Sequence, residues 1–149
     1  MSKIIEIGIT KKNNQKLKIE KVNNIEVVAG KGIKGDRNYH DFNEPRKQIT
    51  LIESENIDYY NQKFNTNFSY LDFRRNLITK NIQLNELVGK KLSIGQIDMQ
   101  VHDLCRPCNY LQEILGRDNI IKEFLRRGGL RCEILFSGNI KVEDEIKVL

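Results

Sequence analysis

Leu92-Ser93-Ile94-Gly95-Gln96-Ile97-Asp98-Met99-Gln100-Val101 is the stretch that decides the class of fold. Two alternating apolar runs flank Gly95-Gln96, a connection short enough to reverse an antiparallel pair of strands. Leu92 and Ile94 share one face, as do Ile97, Met99 and Val101, so both strands offer an apolar side to a core. Working outward, the same signature recurs. Ile4 to Ile9 alternates in part and reads as a strand. Leu17-Lys18-Ile19 reads as another, with Lys11 to Gln15 as the polar turn between them. Ile25-Glu26-Val27-Val28 continues the strand pattern up to a glycine-rich loop, Gly30 to Arg37. Gln48 to Ile52 reads as a short buried strand and Leu77-Ile78-Thr79 as a further one. Cys132 to Phe136 and Ile140 to Val148 predict a closing hairpin through Ser137-Gly138-Asn139.

Three short helices interrupt these strands. Ser54 is placed to cap a helix in which Ile57, Tyr60 and Phe64 recur at helical spacing. Asn109 to Leu115 predicts a second, ending at Gly116, and Ile120 to Arg127 a third, stopping at Gly128-Gly129. Regular βαβ alternation is missing, which argues against a doubly wound parallel sheet. The expected fold is mainly β with a few short helices, as a strongly curved antiparallel sheet or barrel.

Length and composition narrow the class further. A chain of 149 residues predicts a single domain over residues 1–149. No apolar run approaches the roughly 20 residues that cross a bilayer. Glu6 stands where a signal peptide would continue its apolar stretch, so a cytoplasmic location and no membrane partner are expected. An odd count of three cysteines does not make a secreted disulfide framework. The net charge of +5 fits a nucleic-acid surface or an anionic small ligand. The lysines are scattered and lack interleaved aromatics, a poor stacking platform, so no nucleic-acid partner is expected. Arg37, Arg74, Arg75, Arg106, Arg126, Arg127 and Arg131, by contrast, sit in or beside the Gly- and Cys-containing segments. Their fixed forks suit bidentate phosphate contacts.

Three segments carry chemistry. Cys105-Arg106-Pro107-Cys108 precedes the Asn109 helix, whose positive end and Arg106 both favour a thiolate, the nucleophilic and metal-binding form. Four readings stay open. One is a zinc site from His102, Cys105 and Cys108, completed by Cys132 or His40. Another is a thioredoxin-like redox pair. The third is one reactive cysteine that anchors a cofactor, and the fourth is buried cysteines without chemistry, Cys132 above all. In Gly32-Ile33-Lys34-Gly35-Asp36-Arg37, glycines let backbone N–H groups approach an anion while Lys34 and Arg37 supply charge. Asp36-Arg37 reads equally as a structural ion pair. Phe73-Arg74-Arg75-Asn76 places two arginines and an amide just before a strand, suited to a phosphate and the edge of a heterocycle.

Taken in order, these segments resemble the MOSC domain, named for the C-terminal domain of molybdenum cofactor sulfurase. Gly32 to Arg37 with His40 looks like the family's glycine–aspartate–arginine loop, and Arg46 to Glu53 like the strand after it. Arg74-Arg75-Asn76-Leu77 with Thr79, the glycine-bounded Gly89 to Gly95, Arg106-Pro107-Cys108 and Arg127-Gly128-Gly129 match in turn. The resemblance implies a β-barrel-like fold and a molybdenum cofactor (molybdopterin) whose metal is held by Cys108. It implies that Arg37, Arg74 and Asn76 hold the pterin and its phosphate. Arg106 and Pro107 would shape the loop beside the metal, and Thr10 and Lys11 would reach the phosphate. Anionic ligands want arginines, and molybdenum wants a soft thiolate. The implied activity is reduction of N-hydroxylated compounds with Cys108 as catalytic ligand. The alternative is a carrier of cofactor or sulfur with a persulfide on Cys108. An aminotransferase-like sulfurase domain and a separate N-terminal barrel are not found in the chain, so the expected partners are an external electron-transfer protein or cofactor biosynthesis proteins. Glu143-Asp144 departs from the usual glycine–aspartate near the C-terminus, a difference that bears on turn geometry.

Overall fold

Strands β1 (Lys3–Ile9), β2 (Glu20–Val22), β3 (Asn24–Val28), β4 (Gly32–Ile33), β5 (Ile49–Glu53) and β6 (Leu77–Lys80) build the first half of the sheet system. Strands β7 (Lys91–Ile94), β8 (Ile97–Leu104), β9 (Leu130–Ile134), β10 (Gly138–Lys141) and β11 (Ile146–Val148) complete it. The computed structural model describes residues 1–12 and 18–149. Asn13 to Gln15 of the expected turn, and Leu17 of the expected second strand, lie outside them. Eight strands form one sheet in the order β11-β7-β8-β9-β5-β6-β1-β2, and β10-β3-β4 form a smaller one. The pairs are antiparallel except β5 with β6, which run parallel across helix α1 (Ser54–Phe64).

That exception explains a sequence feature. Leu51-Ile52 and Leu77-Ile78 are consecutive apolar residues, all buried, and they lie opposite one another in register. A parallel pair bridged by a helix is covered on both faces, so its strands carry apolar residues on both. Leu51 and Leu77 join the main core with Ile7, Leu92, Met99, Val101 and Leu130. Ile52 and Ile78 turn outward to a second cluster, where they meet Ile57, Tyr60, Phe73, Leu111, Ile120 and Phe124. That cluster lies under α1, α2 (Asn109–Leu115) and α3 (Ile120–Phe124).

The sheet curls until its ends meet. Lys3 of β1 bridges to Glu145, just before β11. The Ile4 N–H donates to the Asp144 carbonyl at 3.0 Å, Glu143 donates back to Ile4 at 2.8 Å, and Ile146 donates to Ser2 at 2.9 Å. The expected curved sheet or barrel is therefore present, with β2 outside the closure.

Several local expectations are corrected. Ser54 is the first helical residue of α1, not its cap; Glu53 holds that position in extended conformation without a side-chain cap bond. The expected second strand falls at Glu20–Val22, beyond Ile19. Arg46 and Lys47 belong to a 3-10 turn (Pro45–Lys47) rather than a strand, because proline starts the turn and removes a ladder donor. The third helix stops at Phe124, three residues short of Arg127. No closing hairpin forms: β9 pairs with β8 and β5, β10 with β3, and β11 with β7. Ser137 is not at a turn tip, since its hydroxyl accepts the Ala29 N–H at 2.9 Å and steers β10 onto β3.

Candidate functional site

Asp36, 3% exposed, is a carboxylate that the fold must satisfy internally. Its Oδ1 accepts the Thr10 N–H at 2.9 Å and its Oδ2 the Asn38 N–H at 3.1 Å. The Arg37 N–H returns to the Thr10 carbonyl at 2.7 Å. The glycine-rich loop is thereby sewn to the end of β1, and Arg37 emerges beside it. Asp36 works through backbone donors rather than as an ion pair with Arg37.

Arg74 arrives from the other side. The 3-10 turn Tyr70–Phe73 ends at Arg74, which takes the left-handed conformation at φ 64°. Non-glycine residues hold that conformation at a cost, and such strain gathers at functional sites. Burial, and then the nearby Arg37 guanidinium, hold Arg74 below the usual arginine range, while Tyr110, Asp36 and Cys108 pull the other way. Among the described residues no carboxylate forms an ion pair with Arg37, Arg74 or Arg131.

Between these arms lies a cleft of about 430 Å³. Arg37, Arg46, Arg74, Arg75 and Arg131 line it, together with Thr10, His40, Thr50, Asn76 and Cys105. Two glycines pack closely against the backbone of Cys105 and of β5, both of which contribute to the lining. Gly129 has φ +99°, and a Cβ there would sit 1.8 Å from the Leu51 carbonyl oxygen; one on Gly128 would sit 2.2 Å from that of Cys105. Cys105 donates its N–H to Gly129 at 2.7 Å, and the Arg75 Nε–H donates to the Gly128 carbonyl at 2.8 Å. Arg75 is thus partly spent on the scaffold.

The structure brings Thr10, Arg37, Arg74 and Asn76 of the expected set into this cleft. Asn76 is buried, and its side chain ties strands together. Its Oδ1 accepts from the Thr50 N–H at 3.1 Å and hydroxyl at 3.2 Å, and its amide donates to Gly8 at 3.0 Å. Among the described residues its second amide hydrogen meets no acceptor. Lys11 lines a separate hollow with Gly35 and Tyr39, and pairs with Glu20 at 3.6 Å. Arg106, Pro107 and Cys108 do not line the cleft; they follow Cys105, which does, and Cys108 is exposed at the start of α2, within electrostatic reach of Arg74. Arg126 and Arg127 lie elsewhere: Arg127 stacks over Tyr59 at 4.1 Å, and the Arg126 carbonyl accepts from Asn85.

Sequence reasoning did not place Arg46 or Lys47 in the site, and it named Arg131 and Cys105 as candidates without assigning them to the cofactor set. Pro45 was the available signal for Arg46 and Lys47, since a turn-former just before a strand projects its neighbours from the sheet end. Cys105, left open among the four readings of the cysteine segment, is buried but lines the cleft. Burial pushes the Cys132 thiol up, keeping it protonated and inert. His102 contacts Glu133 at 2.8 Å. Among the described residues no three His, Cys, Asp or Glu side chains converge as a metal site, so the ligands of the alternative zinc reading do not assemble.

A curled β-barrel with an arginine-lined cleft at one end and an exposed thiol within electrostatic reach of it is the class of protein that fold and site define. The chain belongs to the MOSC domain family, whose model matches residues 36–147, a family associated in general with molybdenum cofactor binding. Among solved structures it is similar to the YUAD protein from Bacillus subtilis, with a TM-score of 0.81, 17% identity, and coverage of 99% of this chain and 96% of that one. YiiM from Geobacillus stearothermophilus and YiiM from Escherichia coli each give a TM-score of 0.77 at 17% identity. Both comparisons cover 100% of this chain, and 75% and 70% of the respective YiiM chains. At such identities the likeness is one of fold. Comparison with curated proteins gives no match. No helix among the described residues is long and apolar enough to cross a membrane.

Proposed function

We propose that the chain binds a molybdenum cofactor in the arginine cleft, with Cys108 as the metal's thiolate ligand, and reduces N-hydroxylated compounds with electrons from an external protein. The observation that carries the reading is that Arg74, half-buried, lines one cleft with Arg37, and that neither forms an ion pair with a carboxylate among the described residues. Two guanidiniums held together in low dielectric repel each other unless an anion lies between them.

The donor set fits that cofactor. Arg37, Arg74 and Arg131 offer planar forks to a phosphate, the free amide hydrogen of Asn76 can meet a heterocycle edge, and a soft thiolate suits molybdenum. Thr10 fixes Arg37 through its carbonyl, and Lys11 adds charge beside the cleft. Arg106 and Pro107 belong to the loop that carries Cys108. When bound, the cofactor supplies two-electron redox chemistry that no side chain here provides. The chain's own part is to hold the anion, present the thiolate and keep the cleft cationic.

The test is metal content, measured by mass spectrometry on protein made in a host that synthesises the cofactor. Near-stoichiometric molybdenum in wild type, lost in Cys108→Ser, is the expected result; equal content in both sinks the ligand assignment. Turnover separates enzyme from carrier. Loaded protein that reduces no N-hydroxylated compound is a carrier, a role that the exposure of Cys108 also suits.

A further inference from the structure

Beside the cleft runs a second hollow of about 440 Å³, between the Tyr70–Phe73 turn and α2. Its lining is of another kind: Ile19, Phe68, Leu71, Tyr110, Ile114 and Leu115 supply most of the wall. The two cavities share Ile19 and Arg74 as a common wall and lie side by side. Resting on the reductase reading above, we propose that this groove seats the flat, ring-bearing body of the substrate whose N–O group is reduced at the mouth of the arginine cleft.

Four observations converge on that occupant. Tyr110 and Ile114 are 48% and 46% exposed and lie four residues apart on α2, so they form one stripe along the groove. Single exposed apolar residues are ordinary, whereas a contiguous pair facing a cavity marks a contact surface. Second, the wall between the cavities is built for planar groups: the Arg74 guanidinium lies 5.8 Å from the Tyr110 ring centre. A ring and a guanidinium both stack on flat π systems. Third, the far wall is fixed, because the Phe68 ring packs edge-on against Phe73 at 5.7 Å and against Tyr60 at 6.1 Å. Gly8 lets two of the groove's lining residues pack close, since a Cβ there would meet Ile19 and Leu71 side-chain atoms at 2.8 Å. Fourth, Asp72 on the rim is already engaged, its carboxylate accepting the Ser69 N–H at 2.8 Å. The volume lies within the range of small-molecule pockets, roughly 300–1,000 Å³. Cys108 stands two residues before Tyr110 in the chain, so a substrate lying along α2 points its reactive end at the thiol.

The test uses molybdenum-loaded protein with its metal content measured, and two amidoximes that differ only in their body, benzamidoxime and acetamidoxime. Wild type is expected to reduce the aromatic compound with kcat/KM about tenfold or more above the methyl one, as an apolar pocket discriminates. Ile114→Asp should erase that preference through KM while molybdenum content stays unchanged. In parallel, benzamide, which carries the ring but no N–O group, should shift the backbone amide resonances of residues 110–115 in wild type and not in the variant. Reduction of both amidoximes at equal efficiency, with no benzamide shifts in the groove, overturns this proposal alone. Reduction of neither by loaded protein overturns the reductase reading and this proposal with it. Self-association that Ile114→Asp abolishes, with wild-type substrate preference intact in the variant, assigns the groove to a second copy and overturns it as well.

Discussion

Glu143 shows how one residue can carry a departure from a family pattern. It stands where the resemblance leads one to expect glycine and adopts φ 80°, a left-handed conformation that glycine reaches without cost. Its compensation is an ion pair with Lys3 at 2.7 Å, but the Glu143 side chain is 64% exposed, so solvent screens most of it. Glu143→Gly should therefore stabilise the protein by about 0.5–1 kcal/mol, read as a higher urea midpoint. Glu143→Ala keeps the strained backbone and loses the pair, so its midpoint should fall below wild type; the opposite ranking would remove strain as the explanation. Arg74 has the same backbone conformation and no such surface compensation. Its strain belongs to the cleft, where the residue type matters more than the local cost. Both positions were legible as residue types, since the departure at 143 and the Arg74-Arg75-Asn76 element stand out by eye. Their φ angles were not, because nothing local in those stretches demands a left-handed residue.

At the scale of elements, the β5–α1 junction illustrates what local patterning misses. A serine before a helical run predicts a cap, yet Glu53 takes that place and turns its carboxylate to the Leu84 N–H at 3.3 Å. Burial pushes the Glu53 carboxyl up, with Glu55 adding to the effect and the Leu84 N–H opposing it. As pH rises past the ordinary value of 4.5, the unfolded chain releases this proton while the folded chain still holds it. The unfolded state then binds fewer protons, and stability falls until pH passes the raised folded value. Glu53→Gln should thus raise the melting temperature at pH 7 by about 2–4 °C and give no gain at pH 4. A gain of equal size at both values would point to packing rather than ionisation. Strands with clear alternation, such as β3 and β7, were legible almost to the residue, as was α2 with Gly116 closing it in a left-handed cap, while β8 runs on past Val101 to Leu104. The end of the chain was misread because strands 130–148 alternate much as a hairpin does. Their partners, β8, β3 and β7, are chosen by tertiary contacts of high sequence separation, which no local pattern encodes.

For the whole molecule, β1 joins closure to function. Its N-terminal end forms the seam with the segment before β11, and its C-terminal end delivers Thr10, which holds Asp36 and Arg37 through the backbone. A closed barrel leaves no free edge along the seam, so its amides should open only when the barrel does. This explains why the class of fold was readable from a hairpin and a handful of turns while the cleft was read only in part. Strand character is local, but Arg46 and Arg131 become neighbours only once β9 pairs with β5, a contact of high sequence separation. The consequence is measurable by native-state hydrogen exchange. The amides of Ile4, Glu143 and Ile146 should exchange with opening free energies within about 1 kcal/mol of the slowest amides in β8 and β9, because all report the same cooperative opening. Those of β2, which pairs with β1 alone, should exchange faster. The Arg37 amide, bonded to the Thr10 carbonyl at 2.7 Å, should follow the seam rather than the surrounding loop. Fast exchange at Ile4 and Ile146 beside slow exchange in β8 would mean that the sheet breathes open at the seam. In that case Arg37 would exchange with them, and the position of its guanidinium would depend on closure.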